Sequence, residues 1–390
     1  MGDRESAVRI YPAADFLLPL ALNGNKKCDN FLLLFRMMFS ILCNRNAGGK
    51  IMSEIVRVVV DAMGGDNAPE EIVKGAIAAV NNHEDIHLIL TGLQDAVERE
   101  LKKYTYPADR VEVVPVSQVI ETAEPPVAAI RTKKDSSIVV GLTMVRRGQA
   151  DAFVSAGSTG AVLVGGQAIV GRIKGIERPA LAPLIPTKDG VALLIDCGAN
   201  VDARSSHLVQ FAKMGSIYME HVVGVKNPKV GIVNIGAEEE KGNALVKETF
   251  PLLKQCGDIN FTGSIEAREI PAGACDVVVC EAFVGNVILK LYEGVGSVMI
   301  KKIKEGLKSD VKTAVGGMLI KPALKKTLKS FDASQYGGAP LLGLKGLVVK
   351  THGSAKAEEV EHSVYQCVQF KQQRISEKIE MAIHKNEESK

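Results

Sequence analysis

Val56-Arg-Val-Val-Val-Asp-Ala-Met-Gly-Gly-Asp-Asn-Ala-Pro69 decides the fold class of this chain. The β-branched run Val56 to Val60 reads as a strand, and Asp61-Ala-Met-Gly-Gly-Asp66 reads as the turn that ends it. Pro69 then occupies a favoured first-turn position for a helix through Val80. Outward from this βα unit the alternation continues. Further strands are expected at His87–Leu90, Val111–Val114, Ala152–Ser155, Ala192–Ile195, Lys229–Asn234 and Asp276–Cys280. Short apolar runs separated by helical spacers indicate a parallel sheet covered on both faces. The expected architecture is therefore α/β: a three-layer, Rossmann-like, mostly parallel sheet with helices on both faces. No internal repeat is visible.

The regularity that points to function lies just after the strands. Besides the first loop there are Ser155-Ala-Gly-Ser-Thr-Gly160, Asp196-Cys-Gly-Ala-Asn-Val-Asp202, Asn234-Ile-Gly-Ala-Glu238 and Glu281-Ala-Phe-Val-Gly-Asn286. Each joins glycine to small polar or acidic residues, and the carboxyl edge of an open α/β sheet is where ligands bind. Glycine, asparagine and aspartate also favour turns on their own account. Five such loops on one sheet edge argue for a ligand.

Composition narrows the field. The chain has 390 residues, 46% hydrophobic and 24% charged, with a formal net charge of +3, 37 glycines and no tryptophan. That charge and an aromatic content of 5% do not suit nucleic acid, which is not expected as a partner. Seven cysteines without a CxxC pair read as reduced thiols of a cytoplasmic protein. Residues 1–51 stand outside the pattern. Their apolar run, Phe31 to Cys43, is broken by Arg36 and is shorter than the ~20 apolar residues of a membrane span. They are expected to be a disordered or non-native upstream extension, with residues 52–384 forming one α/β domain.

One stretch departs from the alternation. Ile300, Ile303, Leu307, Val311, Val315 and Met318 recur at helical spacing, with lysines 301, 302, 304, 308 and 312 between them and Lys321, Lys325, Lys326 and Lys329 around Pro322. A protruding basic helical hairpin is expected at about 297–330, turning at the glycine pair within Ala314–Ile320. Such a surface suits an anionic membrane or an acidic protein; the bland alternative is a solvated charged face over a buried stripe.

Together these segments resemble the phosphate acyltransferase (PlsX) family of bacterial phospholipid synthesis. The resemblance runs from Val56 to the C-terminal helix. It is carried by Val60-Asp-Ala-Met-Gly-Gly-Asp-Asn-Ala-Pro69, Gly171-Arg-Ile-Lys-Gly-Ile-Glu-Arg-Pro-Ala180, Asp196 to Asp202, Lys241-Gly-Asn243, Tyr336-Gly-Gly-Ala-Pro340 and His352-Gly-Ser354. Departures are Ser158 and Ser264, commonly asparagine in that family, and Glu281-Ala282, commonly Asp-Gly. The resemblance implies an acyl carrier protein thioester and inorganic phosphate as substrates and an acyl phosphate as product. It also implies a homodimer with a fold similar to isocitrate and isopropylmalate dehydrogenases. The product would pass to a membrane glycerol-3-phosphate acyltransferase, with peripheral membrane contact through residues 299–329. No cofactor or metal is expected.

A thioester is already activated, so its transfer to phosphate needs positioning and oxyanion donors rather than an enzyme nucleophile. Lys241 is the expected catalytic cation, and Asn286, read as lying in a tight turn, the expected donor to the carbonyl. Backbone groups of Gly64, Gly65, Gly157 and Gly160, with the hydroxyls of Ser155, Ser158 and Thr159, are expected to hold phosphate. Asp61, Asn67, Asp196, Asn200, Asp202 and Asn243 complete the expected substrate site, and His352 is a secondary candidate. His83-Glu-Asp-Ile-His87 matches HExxH, but Asn81-Asn82 ends the helix that a zinc site needs. Two other readings compete: a dinucleotide-dependent dehydrogenase, whose GxGxxG is missing after the first strand, and a non-enzymatic carrier or membrane adaptor using the lysine hairpin alone.

Overall fold

The computed structural model describes residues 54–330 and 333–384, so the expectation for residues 1–51 lies outside it. The chain opens with β1 (Val56–Asp61), α1 (Glu70–Asn82), β2 (Ile86–Gly92), α2 (Gln94–Leu101), β3 (Val111–Pro115), α3 (Pro126–Thr132), α4 (Ser137–Arg146) and β4 (Ala152–Ser155). The middle carries α5 (Thr159–Gly165), β5 (Ala180–Leu181), β6 (Leu184–Thr187), β7 (Gly190–Ile195), α6 (Ser205–Tyr218), β8 (Lys229–Asn234), α7 (Ala244–Lys254) and β9 (Asn260–Glu266). Last come β10 (Val277–Val279), α8 (Ala282–Gly306), α9 (Val311–Ser330), β11 (Ala339–Leu342), β12 (Leu347–Lys350), α10 (Ala357–Gln372) and α11 (Ile375–His384).

The expected single sheet is two. The first has the order β3-β2-β1-β4-β12-β11-β5 and the second β6-β7-β10-β8-β9. Both are parallel at their centres and antiparallel at one edge, where β12-β11-β5 and β6-β7 lie. The chain crosses from one sheet to the other at Ala182-Pro183. A proline supplies no N–H to a ladder, which suits a point where pairing changes partner. The ligand-type loops are accordingly divided: those after β1 and β4 belong to the first sheet, those after β7, β8 and β10 to the second.

The period of two along each strand sorts side chains into three cores. Val56, Val58 and Val60 face a central core that also takes Leu193, Ile195, Val277 and Val279 from the second sheet. Helices α1, α6, α10 and α11 fill it. Val59, Phe153 and Val348 face the other way, under α3, α4 and α5. On the second sheet Ile185, Leu194 and Val278 face α8, whose Val284, Ile288 and Tyr292 pack on them. Tyr292 donates its hydroxyl to the Pro186 carbonyl at 2.6 Å, which seats α8 on β6.

The charged helical stretch also differs from expectation. Helix α8 begins at Ala282, with no break at 297, and the turn falls at Leu307–Asp310. Asp310 starts α9 by accepting from Lys312 N and Thr313 N at 2.8 and 3.0 Å. Gly316 and Gly317 lie inside α9. A glycine in a helix costs only about 1 kcal/mol, too little to stop one whose start is capped this firmly.

Candidate active site

Loops of the first sheet close onto each other through buried polar pairs. Asp61, 1% exposed, accepts from the Ser155 hydroxyl at 2.7 Å and from Met63 N at 3.1 Å. Burial pushes its pKa up, against the pull of hydrogen bonds from Ser137, Ser155 and Met63 and the charge of Lys350. Ser155 Oγ in turn accepts from Gly157 N at 3.0 Å. Gly64 has to be glycine, because a Cβ there would stand 2.5 Å from Asp61 Oδ2 and 2.6 Å from Gly157 N. Ser158 accepts from Ala161 N and caps α5. Asparagine would cap the helix equally well. Asn67 ties the first loop to the carbonyls of Ser354 and Ala355. Ser155 and Ser158 are thus spent on the scaffold, and of the three expected hydroxyls Thr159 faces open space.

Asp196 joins the two sheets. Fully buried, it accepts from Leu181 N of β5 at 3.0 Å, from Ala199 N at 3.2 Å, and from both nitrogens of Asn200 at 2.8 and 2.7 Å. Burial raises its pKa against those bonds. Asn200 adds a bond to the Pro179 carbonyl at 2.7 Å. The pair holds the loop after β7 against the edge of the first sheet.

On that clasp rests the start of α8. Glu281 caps the helix, accepting from Phe283 N and Val284 N at 2.5 and 2.9 Å. A carboxylate one methylene longer than aspartate still reaches both donors. Gly285 lets the helix lie directly on Asp196, since a Cβ would sit 1.9 Å from its carbonyl oxygen. Asn286 therefore stands in the second turn of α8, not in the turn expected for it, because the cap starts the helix four residues earlier. No hydrogen bond holds its amide among the described residues.

Between the sheets opens a cleft of about 1340 Å³. The first sheet contributes Thr159, Lys350, Thr351 and His352; α8 contributes Asn286; Leu181, Leu184, Ile185, Pro271 and Leu289 supply an apolar wall. Lys350 is 8% exposed, and its ammonium group donates to the carbonyls of Ala156 and Thr351. Burial pushes its pKa down to about 8, while Glu359 and Asp61 pull it up. His352 Nδ1 lies 2.8 Å from Ser354 Oγ and accepts from Ser354 N. Cys197 also faces the cleft, but burial holds the thiols of Cys197 and Cys280 well above their ordinary range, so neither supplies a thiolate.

The remaining expected residues lie elsewhere. Lys241 is exposed after β8 and pairs with Glu238 at 2.8 Å, a contact that raises its pKa and keeps it charged. Asn234 positions that loop by donating to the Lys241 carbonyl and to Ser264 Oγ, both at 3.1 Å, so serine at 264 still serves the loop. Asn243 accepts from Val246 N and caps α7. Gly160 packs on Pro126, Gly65 against Ala156, and Asp202 borders a different recess. His83 ends α1 and His87 lies in β2, so HExxH spans two elements. Sequence reasoning missed Lys350. Its signal was a lysine closing the apolar run Leu347-Val-Val just before His352.

A family model described as "Fatty acid synthesis protein" matches residues 56–378. A phosphate acyltransferase of Alkaliphilus oremlandii is 51% identical over 324 residues, covering 83% of this chain and 96% of the relative. One from Clostridium acetobutylicum is 48% identical over 322 residues, covering 83% and 97%. Among solved structures, EutD phosphotransacetylase from Staphylococcus aureus superposes with a TM-score of 0.52 at 17% identity, covering 80% of this chain and 93% of its own. A phosphotransacetylase from Streptococcus pyogenes matches at the same TM-score and identity, covering 86% and 98%. These two structures bear on the fold alone.

Proposed function

This chain belongs to the phosphate acyltransferase family, and from that premise we propose that it moves a fatty acyl group from an acyl carrier protein thioester onto inorganic phosphate, releasing acyl phosphate. The supporting observation is the inter-sheet cleft. It joins an apolar wall suited to an acyl chain to Thr159, Lys350 and Asn286, which suit a phosphate and a carbonyl oxygen. A lone pair on a phosphate oxygen attacks the thioester carbonyl carbon. The C–O bond forms, the C–S bond breaks, and the thiolate leaves with the bonding pair and takes a proton from solvent. Asn286 donates to the oxygen that becomes negative, a contribution on the order of 3–4 kcal/mol for one well-aimed donor. The buried ammonium of Lys350 and the hydroxyl of Thr159 hold phosphate, and Lys241, outside the cleft lining, adds positive charge once its surface pair with Glu238 opens toward the cleft. Asp61 and Asp196 hold the parts in register without touching the reacting atoms.

The relatives' names favour this transfer over a dehydrogenase reaction. Helix α8 leaves Phe283, Leu291 and Val298 more than half exposed. Those apolar side chains support a homodimer, and the lysines of residues 299–329 support peripheral contact with anionic lipid. Such contact would place a cytoplasmic enzyme beside a membrane glycerol-3-phosphate acyltransferase that takes its product.

The test is free-thiol release from acyl carrier thioester with and without orthophosphate, followed by hydroxylamine trapping of acyl phosphate. Phosphate-dependent thiol with matching hydroxamate is expected; binding of the carrier with no phosphate-dependent release would instead make the protein an adaptor. Lys241→Ala is expected to lower turnover at least tenfold in a folded protein, and turnover within twofold of wild type removes Lys241 from the mechanism.

A further inference from the structure

A second recess, of about 690 Å³, lies beside the acyl cleft. Three guanidinium groups line it, those of Arg172, Arg178 and Arg204, together with Gln167 and His207; the carboxylates of Glu177 and Asp202 share its rim. Among the described residues no carboxylate forms an ion pair with any of the three arginines. Glu177 is committed elsewhere, accepting from His207 Nε2 and from Ser206 Oγ, both at 3.1 Å. His207 Nδ1 accepts from Arg204 N at 3.1 Å, so the ring carries its proton on Nε2. Burial pushes the His207 pKa down, against the pull of Glu177, and the charges of Arg178 and Arg204 push the same way. The histidine is therefore neutral, the Arg204 backbone is pinned, and Arg178 and Arg204 face the recess with no ion-pair partner among the described residues.

The same three segments that wall the cleft wall this recess. Arg178 precedes the cleft residue Leu181 by three positions, Asp202 follows Cys197 by five, and Gln167 lies beyond α5, whose Thr159 faces the cleft. Three residues span at most about 11 Å, and the recess shares no lining residue with the cleft, so a ligand seated on Arg178 lies close to the cleft but outside it. A planar guanidinium presents paired N–H groups that match two oxygens of a phosphate group, and two unpaired arginines suit that anion better than a carboxylate.

Resting on the acyltransferase reading, we propose that this recess binds the phosphodiester of the acyl donor's prosthetic arm through Arg178 and Arg204, delivering the thioester at the arm's far end into the cleft. A free phosphate ion held there would stand outside the cleft and could not attack the carbonyl, which selects the donor's phosphate over the co-substrate's.

The experiment pairs two donors with two enzymes. Acyl-phosphopantetheine and acyl-pantetheine, which differ by one phosphate group, are turned over by wild type and by the double variant Arg178→Gln/Arg204→Gln. Both side chains are exposed, and a melting curve checks that the variant folds. In wild type the donor's phosphate is expected to raise kcat/KM at least tenfold; in the variant it is expected to matter less than twofold, with KM for orthophosphate unmoved. An equal benefit of the donor phosphate in both enzymes overturns the proposal, as does a rise in KM for orthophosphate alone. No turnover of either donor or of acyl carrier thioester by wild type sinks the acyltransferase reading itself, whereas an active wild type indifferent to the donor's phosphate sinks only the recess.

Discussion

The loop after β4 and the first turns of α8 both follow a parallel strand, and both carry glycine beside a small polar residue, yet they do opposite work. In the first, Ser155 is fixed to Asp61 and Gly157, and Ser158 to the end of a helix. In the second, Glu281 does the capping and Asn286 is left facing the cleft with no hydrogen-bond partner among the described residues. A buried polar group must be satisfied inside the protein, and the bonds it makes there are not available to a substrate. The closed region sets positions, and the open one is left free to meet a substrate.

That contrast breaks most visibly at Asn286. Replacing it with alanine is expected to lower kcat by 10²–10³ while the melting temperature stays within about 2 °C, since no internal bond is lost. A matched loss of activity and stability would put Asn286 with the scaffold. Asp196→Ala reverses the pattern: it strands the N–H groups of Leu181, Ala199 and Asn200 and should cost on the order of 3 kcal/mol in a denaturant melt. An unchanged midpoint would show that the clasp between the sheets holds nothing.

Lys350 belongs to both regions and sharpens the comparison through pH. Its folded pKa of about 8 lies below the ordinary 10.5, so between those values the unfolded chain binds more protons and stability rises with pH. Wild type should therefore gain on Lys350→Met as pH climbs from about 8 to 10.5, by up to about 3 kcal/mol. A flat difference across that window would mean the ammonium is not desolvated. The smallest effect is at Ser158, where asparagine should change stability by less than about 0.5 kcal/mol and alanine should cost about 1 kcal/mol through the lost cap. An alanine as stable as serine would remove the capping role.

The same contrast explains what was legible in the sequence. Strands such as Val56–Val60 and the turns after them are written in local residue chemistry, and the structure has them where the pattern puts them. Which loops share a sheet is set by pairing over long separations, so the division at Ala182-Pro183 had no local mark apart from the proline. The hairpin turn was placed at Gly316-Gly317 because glycine punctuates chains, but the decisive signal was Asp310, a capping residue just before a helical run. Asp61 and Asn286 look equally functional in a one-dimensional string; burial separates the one held in internal bonds from the one left open to the cleft. Lys350 shows the converse, a residue that reads as a strand's polar edge until its ammonium group is buried against the carbonyls of Ala156 and Thr351.

The central claim is that the acyl donor and phosphate occupy the inter-sheet cleft together and react without a covalent enzyme intermediate. Initial rates over a matrix of acyl carrier thioester and orthophosphate concentrations test it most directly. Intersecting double-reciprocal lines, with no thiol released before phosphate is added, are the predicted result. Parallel lines with a burst of one thiol per enzyme would show an acyl-enzyme, and would contradict the account.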